Sequence, residues 1–172
     1  MPTTVSIKER IERQLLADFN ASGHFATVER WDARGNARGH RALTIVTGDE
    51  TSPQSDEEAY SITEKTLAME LQVQLAQGDP GHASADADDL KTTSGLHNEL
   101  LYLMESVLMD NEFVVEAGTG VRLAIDTIVV GTSAPPIDEQ QPEVYAILAA
   151  EITYQHLRND PSAGPGITTV TE

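Results

Sequence analysis

Leu67-Ala68-Met69-Glu70-Leu71-Gln72-Val73-Gln74-Leu75 decides how the chain is read. Every odd position is apolar and every even one is polar or small. Side chains of a β-strand alternate between two faces, so Leu67, Met69, Leu71, Val73 and Leu75 share one side. A helix would scatter them around its circumference. The spacing predicts a long strand with one buried face, set in a half-buried sheet that other elements must cover. The even face carries Glu70, Gln72 and Gln74. A row of this kind is ordinary for a solvated surface.

Working back toward the start, Ser6-Ile7-Lys8-Glu9 has the form of a helix capping box. Ile7, Ile11, Leu15 and Phe19 follow at intervals of four and make one apolar stripe, ending before Gly23. Residues 25–31 and 41–47 read as two strands around a Gly- and Asn-containing turn, which together suggest a hairpin with a long tip. Four of the eleven basic residues fall in this region: Arg30, Arg34, Arg38 and Arg41. They form either a solvated loop or a contact with an acidic surface. The stretch 48–58 is polar and acidic and reads as a loop, carrying Asp49, Glu50, Asp56, Glu57 and Glu58. Tyr60 and Ile62 sit on even positions and Leu67 onward on odd ones, so a bulge or bend is expected between 61 and 66.

Working forward, 77–84 is a loop, and Asp86, Asp88 and Asp89 suit the N-terminal end of a helix dipole. Leu90, Leu96, Leu100, Leu103, Met104, Val107 and Leu108 then carry helical spacing to about Asp110, and Gly95 suggests first turns that are separate or kinked. Residues 121–130 alternate as a strand, 131–142 reads as a loop, and 144–156 as the last strand. That strand is apolar on both faces over its first half, as suits a central position. From Asn159 the Pro- and Gly-containing stretch reads as a flexible tail.

The expected order is helix, strand, strand, strand, helix, strand, strand. That is an α+β fold: a mostly antiparallel sheet of about five strands, with two main helices packed on one face. A single domain over 1–160 and a tail over 161–172 account for the length.

The chain has 28 acidic and 11 basic residues and a formal net charge of −17. Binding to nucleic acid or to an anionic membrane demands the opposite sign. Cysteine is absent, which excludes disulfides, thiolate catalysis and cysteine zinc sites. The opening residues lack a secretory leader pattern, and no apolar run approaches the roughly 20 residues needed to span a bilayer. The expected setting is the cytoplasm. His24, His40, His82, His97 and His156 are dispersed, and none forms a local zinc motif. Gly118-Thr119-Gly120 leads into an expected strand with no following Lys-Ser or Lys-Thr, so it does not form a phosphate cradle. Asp86-Ala87-Asp88-Asp89 lacks the Gly and Glu of a calcium loop. No cofactor or catalytic group is expected, and assembly with copies or partners becomes the stronger class.

Several pieces together resemble the tail terminator, or tail completion, proteins of long-tailed bacteriophages. A helix over 7–19 leads to the 25–31 strand. A second strand ends in Val46-Thr47-Gly48-Asp49-Glu50. The 67–75 strand leads on to a helix ending Val107-Leu108-Met109-Asp110. Ala150-Glu151-Ile152-Thr153-Tyr154 leads to Asn159-Asp160-Pro161. The resemblance spans roughly 6–161, and the chain is longer than is usual for the family in 76–90, 131–142 and the tail.

It implies a virion protein, assembled in the host cytoplasm, that forms a ring of typically six copies on the end of the tail tube. The ring stops tube growth and presents the surface for head–tail joining. Its partners would be itself, the tail tube protein and a head-side neck protein, and genomic DNA would pass through without specific binding. Six copies would carry a formal 6 × −17 = −102, which would keep DNA from sticking. Under this reading the basic cluster at 30–41 meets an acidic neighbour such as 49–58. Alternatives are another neck component, such as a head completion or stopper protein, or an unrelated small enzyme or binding domain.

Overall fold

The computed structural model describes residues 4–30, 41–52, 62–75, 87–133 and 144–167. Helix α1 spans Ile7–Ser22. Its N-cap is Ser6, whose hydroxyl accepts from the Glu9 backbone N–H at 3.2 Å. Gly23 ends it in the left-handed region at φ 69°, where a residue with a Cβ is strained. The second half of the expected capping box does not form. The Glu9 carboxylate turns outward, to Arg13 and Arg30.

Strands β1 (Thr27–Arg30), β2 (Ala42–Thr51) and β3 (Ile62–Leu75) follow. Helix α2 (Ala87–Asp110), β4 (Asp126–Ser133) and β5 (Val144–Leu157) complete the order. The fold is α+β, with a five-stranded mixed sheet ordered β1-β2-β3-β5-β4. The quoted strand is the middle one. β5 lies between β3 and β4, as its two apolar faces required. β3 and β5 pair antiparallel without a break, from Ile62↔Leu157 to Leu75↔Val144.

The inner face is covered by both helices. Leu67, Met69, Leu71 and Val73 join Ile7, Ile11, Leu15 and Phe19 of α1 and Leu100, Met104 and Leu108 of α2 in one buried cluster. Each large aliphatic side chain buried there contributes about 1.5–3 kcal/mol. Polar clamps hold α1 on either side. Arg10 makes a two-pronged bond to Glu116, Nε to Oε1 at 2.8 Å and Nη2 to Oε2 at 2.7 Å. On the other side Glu12 accepts from Arg30 and Thr47, both at 2.9 Å.

Five expectations are corrected. First, residues 25–47 do not form a hairpin. β1 pairs parallel with β2, Thr27↔Ala42 to Arg30↔Ile45. Strand alternation alone does not say whether the eleven-residue link between two neighbouring strands turns back or crosses over.

Second, the bulge is in β2 and not at 61–66. Thr47 faces Met69 and Glu50 faces Leu67, so Gly48 and Asp49 together oppose Ala68. Ile62 stays on the outer face, paired with Leu157. Both are exposed.

Third, α2 runs unbroken through Gly95. Fourth, β4 starts at Asp126 and runs to Ser133. The alternation over 121–125 belongs to a short return in which Arg122 bridges Val115 and Leu123 N–H donates to the Val114 carbonyl at 3.1 Å. Arg122 lies over the Phe113 ring there, 3.6 Å from its centroid.

Fifth, the expected tail is packed as far as Ile167. Ile7 N–H donates to the Pro161 carbonyl at 3.0 Å, Leu157 N–H to that of Ala163 at 2.7 Å, and Ile167 is buried. Gly164 is required there, because a Cβ would fall 2.6 Å from the Gln155 carbonyl oxygen. Residues 168–172 lie outside the described part.

Candidate interface on the outer sheet face

The strand registers lay out the face opposite the helices as a grid. One row runs Val46, Glu70, Ala149, Gly131; the next runs Gly48-Asp49, Ala68, Glu151, Ile128. At its centre the two alanines and two glutamates alternate as on a checkerboard. Glu70 and Glu151 are diagonal neighbours, roughly 7–8 Å apart at the backbone.

The flanking strands both bulge beside this centre. In β2 the extra residue falls at Gly48-Asp49. In β4 it falls at Val130, between Val129↔Ala150 and Gly131↔Ala149. A bulge bends its strand and increases local twist. With small Ala68 and Ala149 as floor, the result is an open concavity of about 310 Å³, walled by Val46 and Gly48 on one side and Val130 on the other.

Its rim is apolar. Ile128 is 52% exposed and Val130 60%. Farther along the same face lie exposed Ile62 and Leu157. The other end is closed: Ala42, Thr44 and Gln74 are buried. Exposed aliphatic side chains collected on one sheet face mark an interaction surface more often than scattered ones do. The Gln72 side-chain amide donates to Glu70 at 2.9 Å, and no hydrogen bond or ion pair holds Glu151 among the described residues. The floor is therefore apolar with two negative charges, a setting for a cation on a long aliphatic stem.

The expected contact residues are dispersed. Arg30 bonds within the chain to Glu9 at 3.0 Å and Glu12 at 2.9 Å. Arg41, at φ 49°, approaches Glu99 at 3.4 Å. Asp49 is exposed in the β2 bulge. Glu50, one residue on, is carried by that bulge to the inner face, where the Tyr154 hydroxyl donates to it. Burial first, and then the Glu50 carboxylate, push the Tyr154 phenol above its ordinary titration range. Arg34, Arg38, Asp56, Glu57 and Glu58 lie outside the described residues.

Glu70 was visible in the sequence as part of the polar even face. Ala68, Ala149 and Val130 carry no such signal: Ala68 is the one alanine of β3, but Ala149 is one of three in β5.

Among the described residues no group of three or more His, Asp or Glu side chains is placed to hold a metal ion. No described helix is long and apolar enough to cross a membrane. No protein-family model matches the chain, and no curated protein matches it.

Proposed function

We propose that the protein is a structural ring component of a long-tailed bacteriophage, the tail terminator that ends growth of the tail tube and offers the tail-side surface for joining to the head. The observation that carries this reading is the outer sheet face. It is apolar at Ile128 and Val130, concave between two bulges, and left uncovered by either helix. Such a face suits a subunit that completes itself against neighbours.

Two further features support the reading. The α-β-β-β-α-β-β order accompanies the resemblance over roughly 6–161. The net charge of −17 per copy suits a ring around a channel through which DNA passes without holding. The ring subunits, the tail tube protein and the head-side neck protein are the partners of this reading, and it needs no cofactor.

The test is native mass together with capping of tubes. A species near six times 18.6 kDa is expected, alone or on addition of tail tube protein, with binding at one end of isolated tubes and arrest of their growth. A chain that stays monomeric with tube protein present and leaves tube length unchanged would overturn the reading.

A further inference from the structure

The groove on the outer face has a chemistry that names its occupant. Its floor is Ala68 and Ala149, and its charges are Glu70 and Glu151 on the diagonal. A flat aliphatic stem fits over the alanines. A planar guanidinium with five donors can bridge two carboxylates at this separation, which an ammonium does less well.

The chain holds one dense run of arginine, at 30–41. Its two ends are already engaged at home: Arg30 by Glu9 and Glu12, and Arg41 by Glu99. The two middle arginines, Arg34 and Arg38, belong to the segment that joins β1 to β2.

Topology sets the kind of contact. β1 is one edge strand of the sheet and β4 the other. The segment follows β1 in the chain, whereas the groove is centred on β3 and β5, with Val130 of β4 on its wall. A contact between two different patches of a subunit is heterologous, and a heterologous contact that closes makes a ring.

Resting on the ring reading above, we propose that the groove receives the 31–40 segment of a neighbouring copy, with Arg34 or Arg38 placed over Ala68 and Ala149 and its guanidinium between Glu70 and Glu151. The joint is then acidic on one side and basic on the other. This gives a chain of net charge −17 a place where like copies attract.

A charge swap in the full chain tests this, read by sedimentation velocity with and without tail tube protein. E70R/E151R and R34E/R38E are each expected to raise the concentration needed for assembly by about 100-fold, and the four changes together to restore it to within about 10-fold of the wild type. Ala68→Arg, which fills the groove while leaving both carboxylates, is expected to block assembly. All three groove positions are exposed, so the thermal midpoint of the monomer should hold.

Doubles that assemble like the wild type, or a quadruple variant no better than the doubles, would overturn the inference and leave the ring standing. A wild type that never assembles, alone or on tubes, would bring down both.

Discussion

The Tyr154 hydroxyl donates to the Glu50 carboxylate beneath the sheet, and the one-residue bulge at Gly48-Asp49 is what brings Glu50 there. Without the bulge, strand alternation would send Glu50 to the outer face. Tyr154→Phe removes the donor and leaves the carboxylate. A loss of about 1.5–3 kcal/mol is expected in urea unfolding, the range for a hydrogen bond to a charged group. The phenol also stays protonated in the fold while an unfolded tyrosine ionises near pH 10. The unfolded state then holds fewer protons, so stability falls as pH rises past about 10. Part of the tyrosine absorbance should resist ionisation in an ultraviolet titration until the protein unfolds, and Tyr154→Phe should abolish that late phase.

Acid acts on the other clamp of α1. The Arg10 hydrogen bonds, opposed by burial, hold the Glu116 carboxyl below its ordinary 4.5. A depressed carboxyl contributes stability that is complete above the unfolded value and is lost as pH falls through the folded one. Glu116→Gln is therefore expected to lower the thermal midpoint at pH 7. The gap to the wild type should narrow between pH 5 and pH 3, as protonation of Glu116 removes the same charge. A gap independent of pH would show that the pair contributes only packing.

The outer face should separate folding from assembly. Ile128→Ser and Val130→Ser remove side chains already more than half exposed in the monomer. Their effect on monomer unfolding is expected to stay within about 0.5 kcal/mol. The double variant should nonetheless lose ring formation in a native-mass measurement. Unchanged assembly would remove this face from the interface.

Ile167 tests how the chain closes on α1. It is 8% exposed and lies against Gly164, whose surroundings include Ile7. Ile167→Ala is expected to cost about 2 kcal/mol, the low end for such a truncation because the site is at the rim of the core. A loose tail would show no change by denaturant titration.

Much of this is legible in the sequence. The 67–75 alternation placed five side chains on one face, and Leu67, Met69, Leu71 and Val73 are buried there. The stripe Ile7, Ile11, Leu15, Phe19 is fully interior. What escaped the sequence is what depends on pairing. A register slip of one residue moves every later side chain to the opposite face. Nothing in Thr47-Gly48-Asp49-Glu50 says which residue is the extra one. Ile62 misled because it is apolar and yet exposed beside Leu157. The candidate groove depends on two bulges and on the adjacency of β3 and β5, which are distant in the chain. Only Glu70 of its chemistry could be read directly. The parallel β1–β2 pair escapes because its eleven-residue link is shorter than the dozen or more residues usual for a crossover.

The place of β5 between β3 and β4 governs the order in which the fold can be reached. β2 and β3 are near in sequence and can zip early, but β3 must wait for β5 across some seventy residues of intervening chain, and closing a loop of that length before any contact rewards it slows folding. β4 has no strand to join until β5 arrives. A nascent chain made only as far as Ser133 therefore holds β3 with one side unpaired and β4 adrift. Such intermediates attract one another through open strand edges and uncovered apolar surface. Chaperone demand during synthesis, and refolding yield that falls with protein concentration, are the physiological signature of a sheet whose centre is filled last.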